Sequence, residues 1–224
     1  MTAPTPGTGR LGLTADEVLT TTRAVRKRLD LTRPVPRALV EECTTIAVQA
    51  PSGRNRQQWD FVFVEDSDQR AAVADVWRRG LASGLGVRSG PGPTRLPFDS
   101  PEWTRIAGSL QHLARHLHEV PLLLIPCLRV ADRDELGTIR GQAGQWGSVL
   151  PAFWSFMLAA RERGLGTAWT TSHLSYEQEM ADLLSLPYDT VVQTALTPVA
   201  FTIGTNFQPG PRADASGFLH WNRW

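Results

Sequence analysis

Apolar and polar positions along this chain follow two periods, and the changes of period mark its elements. Thr14-Ala-Asp-Glu17 reads as a capping box and predicts a short helix to about Thr22. Pro34 and Pro36 then break the chain and set the first turn of a helix over 36–49. Its apolar residues Leu39, Val40, Cys43, Ile46, Ala47 and Ala50 recur at helical spacing, so one face is core. The β-branched and aromatic run Trp59–Glu65 predicts a strand, and Ala72, Val73, Val76 and Trp77 give a helix over 68–80 one apolar side. Pro101 opens a helix over 101–118, and Val120–Arg129 predicts a buried strand trimmed by two prolines. A long helix over about 142–163 is apolar almost all round between Leu150 and Ala160. That implies burial inside the domain or against a partner, with Pro151 expected to kink or break it. Gly164-Leu-Gly166 ends this helix and leads into a strand over Thr167–Thr171. Ser175-Tyr-Glu-Gln178 reads as a second capping box opening a helix to about Leu186, and Val191–Gly204 is the longest β-prone run.

Three stretches carry no such period. Residues 1–13, rich in proline, glycine and threonine, read as a disordered tail with no apolar core for a secretory signal. Between 80 and 101 glycines and prolines crowd together, and an aperiodic stretch of that length inside a domain is usually a functional lid or a disordered excursion. The last twenty residues end in His220-Trp-Asn-Arg-Trp224 and have no core of their own, so the tryptophans are expected to pack on something. No internal repeat or linker divides the rest, which reads as one α+β domain over 14–224.

Composition narrows the function. The chain has 224 residues, is 42% hydrophobic and 20% charged, and carries a formal net charge of +1. Those values suit a globular protein with a substantial core, and they give no global field for nucleic acid or an anionic membrane. No run of apolar residues is long enough for a membrane span, so the expected location is the cytoplasm. Cys43 and Cys127 lie far apart inside apolar runs and read as small buried hydrophobes.

Two polar segments stand out against this background. Arg23-Ala-Val-Arg26-Lys-Arg28 packs three guanidinium groups and an ammonium into six residues where the first helix should end. Arg23 and Arg26, three apart, would share a helical face and could fork onto one phosphate. About one helix later, Pro51-Ser-Gly-Arg-Asn-Arg-Gln57 makes a turn that opens onto amide side chains. Asn55 and Gln57 can satisfy both donors and acceptors at the edge of a flat polar heterocycle. Either segment alone has a plain structural explanation, as a solvated helix end or a helix stop. Together, one core helix apart, they suit a nucleotide-like ligand. Rival constellations are weaker. His112 and His116 could share a metal at i,i+4 spacing, but no carboxylate set completes the site. Gly84-Leu-Gly-Val-Arg-Ser-Gly90 follows a helix rather than a strand, and no Gly-x-Ser-x-Gly elbow is present.

These segments resemble the FMN-dependent nitroreductase family. Arg23, Ala24 and Arg26 match its Arg-Ser-x-Arg stretch near the FMN phosphate and ribityl chain. Pro51, Ser52, Asn55 and Gln57 match its Pro-Ser/Thr-x-x-Asn-x-Gln turn facing the flavin. Trp169, Thr170 and Thr171 match the strand beneath the ring, where a donor meets N5, and Arg212 matches the tail arginine at the phosphate. The chain departs from the pattern at Thr22, where another arginine is common, at Ala24 for serine, at Arg28 for an aromatic, and at Gln208 for a lysine. Phosphate binding would then lean on Arg26 and Arg212.

The resemblance implies an α+β fold with a mainly antiparallel central sheet flanked by helices. It also implies an intertwined homodimer with an exchanged C-terminal tail and FMN at the subunit interface. It implies an oxidoreductase in which NADH or NADPH reduces FMN and leaves before a small acceptor takes its place, a nitroaromatic, a quinone or a related compound. No acid–base side chain is assigned, and the region 80–118 should choose the substrate. The family's specialised chemistries, reductive dehalogenation and dehydrogenation of a small peptide-derived substrate among them, stay open. So do an FMN-sequestering protein without turnover and a non-flavin dimeric interaction module.

Overall fold

Pro36 and the hydroxyl caps Thr14, Ser100 and Thr138 open helices in the computed structural model, which describes residues 9–84 and 100–224. The helices are α1 (Ala15–Thr21), α2 (Arg37–Ala47), α3 (Ser67–Gly84), α4 (Pro101–His116), α5 (Ile139–Glu162) and α6 (Glu177–Leu183). The strands are β1 (Trp59–Val64), β2 (Leu122–Arg129), β3 (Leu165–Thr167), β4 (Val191–Gln193) and β5 (Thr197–Phe201). The capping box at α1 forms in both directions, with Thr14 accepting from the Glu17 N–H and Glu17 accepting from the Thr14 N–H.

One five-stranded sheet runs in the order β1-β2-β5-β3, with β4 paired to β2 as well, and every strand pair is antiparallel. Strand β2 is apolar from Leu122 to Leu128 because helices cover both faces of the sheet, and only its last residue, Arg129, is exposed. Leu123, Ile125 and Cys127 point into a core shared with Val73 and Trp77 of α3, Leu117 and Met180. Leu122 and Leu124 point the other way, onto Val40 and Cys43 of α2 and Phe153, Phe156 and Met157 of α5. The α+β architecture expected from the sequence is the one observed.

Several expected boundaries differ. Residues 85–99 of the anticipated lid and 1–8 of the anticipated tail lie outside the described residues; α3 runs on to Gly84. Leu11 and Gly12 are tied to the end of α5 through Glu162, at 2.8 Å each. Helix α5 passes through Pro151 without a break, although that residue cannot donate to the carbonyl one turn back. The Ser175 capping box does not form. A 3₁₀ turn over Ser172–Tyr176 precedes α6, and Tyr176 at the cap position makes no side-chain bond. The run 191–204 is split because Thr194 leaves the ladder and bonds the Pro126 carbonyl with both its N–H (2.9 Å) and its hydroxyl (2.6 Å). That detour lets Leu196 pair with Thr170 instead. Among the described residues the terminal tryptophans stay exposed, Trp221 at 83% and Trp224 at 99%, with only the neighbouring His220 ring stacked on Trp224.

Candidate functional site

The basic string is not the end of a helix. The helix α1 stops at Thr21, where three consecutive threonine hydroxyls, Thr20 to Thr22, bond back to carbonyls four residues earlier. The chain then turns extended because Ala24 bridges Thr167 and the Val25 N–H donates to the Thr167 carbonyl at 2.8 Å. The shared helical face expected for Arg23 and Arg26 therefore does not exist, and the two guanidinium groups have separate partners. Arg23 Nη1 donates to the Gln208 carbonyl at 2.9 Å. Arg26 is half-buried, and its Nη1 reaches Ser109 Oγ on α4 at 3.2 Å. Arg26 Nε is buried with no partner, and burial holds the group below the usual arginine range. No carboxylate among the described residues pairs with it. Arg28 is spent on structure, donating to the Ile203 carbonyl and to Asn206 at 2.9 Å each while lying over the Phe207 ring.

The turn after α2 is tense. Arg54, Asn55 and Gln57 all sit in the left-handed region, with φ of 56°, 54° and 52°. Non-glycine residues pay for that conformation, and such clusters gather where side chains must be aimed. Two hydroxyls hold the turn in place. Ser52 Oγ accepts from the Gln57 N–H, and Ser148 Oγ on α5 accepts from the Gly53 N–H, both at 3.1 Å. The Asn55 and Gln57 amides are exposed and touch each other at 3.1 Å, while Pro51 lies exposed at the entrance to the turn.

The stretch after β3 divides its three candidates. Trp169 is half-buried against Phe153, ring centroids 4.5 Å apart. Thr170 is buried and fully engaged. Its hydroxyl accepts from Trp77 Nε1 at 2.8 Å and donates to the Leu196 carbonyl at 2.9 Å, and its N–H and carbonyl both pair with Leu196. Thr171, next along, is exposed. Arg212 is exposed in the tail, with Nη1 turned to the Pro211 carbonyl at 2.9 Å.

The structure brings some of these groups together and keeps others apart. Ala24 lies beside β3, three residues before Thr170, and Arg23 lies against Gly210, two residues before Arg212. The 51–57 turn is anchored elsewhere. It hangs from Ser148, whereas the basic string follows Thr21, which is bonded to Arg161 at the far end of α5. At a rise of about 1.5 Å per residue those two anchor points stand roughly 20 Å apart along the helix. The supporting residues Trp77, Ser109 and Ser148 were invisible to sequence reasoning because each acts across 80 or more positions.

Other chemistry has little to work with here. Burial pushes the Cys43 thiol up to about 11 and Cys127 to about 12, so neither is a thiolate at neutral pH. Among the described residues no group of three or more His, Cys, Asp or Glu side chains could hold a metal ion, and no helix is long and apolar enough to cross a membrane.

Known proteins agree with this frame. The model of the nitroreductase family matches residues 19–201. A 5,6-dimethylbenzimidazole synthase of Rhodospirillum rubrum is 30% identical over 140 residues, covering 62% of this chain and 60% of that protein's length. An iodotyrosine deiodinase crystallised with FMN and 3-iodo-L-tyrosine superposes with a TM-score of 0.70 at 20% identity, over 94% of this chain and 100% of its own. The FMN- and NADPH-dependent nitroreductase NfnB of Sphigopyxis sp. strain HMH gives 0.68 at 23% identity, over 95% and 100%. With the family model running over residues 19–201, most of its length, this chain belongs to the nitroreductase family.

Proposed function

We propose that this protein is an FMN-dependent oxidoreductase that uses NADH or NADPH to reduce a small organic acceptor, a nitroaromatic or quinone being the simplest. The observation that carries the reading is Arg26, a half-buried cation with an unpartnered buried Nε and no carboxylate beside it. Leaving such a donor without a partner costs about 1–3 kcal/mol, and a ligand phosphate would remove that cost. Arg23 and Arg212 would complete the phosphate site from the two segments that meet at Gly210. The Asn55 and Gln57 amides, held out by their left-handed backbone, would take the edge of the heterocycle. Of the threonine pair, Thr171 alone has a hydroxyl free to offer the ring a hydrogen bond, and Trp169 flanks it. FMN, when bound, supplies the redox chemistry that passes two electrons from the nicotinamide to the acceptor.

The separation between the turn and the arginines supports a homodimer in which one chain's 51–57 turn meets the other chain's basic string. The apolar outer stripe of α5 and the uncovered tail would supply the contact. Purified protein should show flavin absorbance bands, release FMN rather than FAD on denaturation, and oxidise NADH or NADPH when given a nitroaromatic or quinone. A preparation that stays colourless with excess FMN would end this reading, and a yellow protein that oxidises neither nicotinamide would instead be a flavin-sequestering one. The likeness to 5,6-dimethylbenzimidazole synthase favours a second reading, a specialised chemistry of the same family. Mass-spectrometric detection of that benzimidazole after aerobic turnover with FMN and NADPH would select it.

A further inference from the structure

The tail turn Pro209-Gly210-Pro211 packs its backbone against the Arg23 side chain, and the contact depends on the missing side chain at Gly210. A Cβ built there would stand 2.6 Å from Arg23 Cζ, 2.6 Å from Nη2 and 2.7 Å from Nη1. Near-equal distances to all three atoms put the glycine over the flat face of the guanidinium. The edge of the group points elsewhere, Nη1 donating to the Gln208 carbonyl at 2.9 Å, so the rest of the fork is left for a ligand. Nothing in the backbone demands glycine here, because Gly210 is not among the glycines with positive φ. Prolines on both sides fix φ and stiffen the turn. An added methyl group must therefore be accommodated by the tip of the long arginine side chain.

We propose that Gly210 is a positioning residue, its bare Cα seating the Arg23 guanidinium where it meets the cofactor phosphate. The proposal rests on the reading of Arg23 as a phosphate ligand given above. It also makes the tail a part of the cofactor site, since the segment that carries Arg212 holds Arg23 in place as well.

The test is Gly210→Ala beside Gly217→Ala, whose added methyl would meet nothing within 4 Å. Arg23→Ala and the Gly210→Ala/Arg23→Ala double variant complete the set. Equilibrium dialysis of each full-length protein against FMN and against riboflavin separates phosphate contacts from ring contacts. Gly210→Ala should weaken FMN roughly tenfold, the worth of one charge-assisted hydrogen bond, and leave riboflavin unchanged. Gly217→Ala should match the parent, and the double variant should bind FMN no worse than Arg23→Ala alone. If Arg23→Ala loses FMN and Gly210→Ala does not, the role of Gly210 is overturned and the reading of Arg23 stands. Equal loss of FMN and riboflavin in Gly210→Ala would mean general damage to the tail and also overturns it. So would a Gly210→Ala chain that fails to fold, because the backbone would then be the part that yields. Parent-like FMN binding by Arg23→Ala removes the reading of Arg23 and the proposal with it.

Discussion

At the scale of single residues, the adjacent threonines show how position in a hydrogen-bond network decides chemistry. The hydroxyl of Thr170 satisfies the buried Trp77 indole, while the neighbouring Thr171 faces outward. Thr170→Val keeps the shape but leaves the indole N–H buried and unpaired, a loss of about 1–3 kcal/mol. It should lower the melting temperature and leave the spectrum and reduction potential of bound flavin as they were. Thr171→Val should do the reverse, and a potential that moves in Thr170→Val alone would exchange the two roles. His173 supplies a pH-dependent counterpart. It is wholly buried with neither ring nitrogen bonded, and burial depresses its pKa from 6.5 to about 4. The unfolded chain thus takes up a proton near pH 6.5, and the folded chain does so only near 4. Stability from this group is constant above about 6.5 and falls as pH drops toward 4, by about 2 kcal/mol at pH 5. Urea midpoints at pH 7 and pH 5 should differ more in the parent than in His173→Leu. Residue types were legible in the sequence at this scale, but their partners were not. Nothing local distinguishes Thr170 from Thr171, because the bond that separates them comes from a tryptophan 93 positions away.

At the scale of elements, the close approach of α3 to the 3₁₀ turn before α6 rests on Gly80. A Cβ there would lie 1.8 Å from the Ser172 carbonyl oxygen and 2.6 Å from its carbon, both of them backbone atoms. Helix propensity alone favours alanine over glycine by about 1 kcal/mol. The clash has no flexible atom to give way, so the overpacking cost, about 1–3 kcal/mol or more, should prevail. Gly80→Ala should therefore melt below the parent, and a variant that melts higher would show that the helix can shift freely. Most elements could be read from period and punctuation. Pro36, Pro101 and the Thr14 box mark helix starts by chemistry local to them, and the buried strand shows as an unbroken apolar run over 122–128. Two of the misread boundaries are set by distant groups. The strand at 191–204 is interrupted because the Pro126 carbonyl draws Thr194 out of line, and the basic string leaves its helix because Thr167 offers a strand partner. No pattern within either segment records those neighbours.

At the scale of the molecule, the single chain leaves a broad apolar surface uncovered among the described residues. The outward face of α5 carries Leu150, Pro151, Trp154 and Leu158 at helical spacing, none of them fully buried. Trp146, Trp154 and Trp169 line an uncharged groove of about 640 Å³ beside it. The tail adds Phe218, Leu219, Trp221 and Trp224, all exposed. Apolar surface on that scale marks a protein–protein contact rather than a solvated face. The roughly 20 Å between the two anchor points on α5 adds a second reason, since the turn and the basic string are held well apart along that helix within one chain. Both arguments converge on a second copy, which would cover the stripe and close the site in one step. Sedimentation should find a dimer, and Trp154→Glu should shift it toward monomer by placing a charge in the buried contact. If the site is shared, flavin retention must fall in parallel with dimer content across a protein dilution series. A monomeric Trp154→Glu that keeps parent-like flavin would place the whole site within one chain and remove the second copy from it.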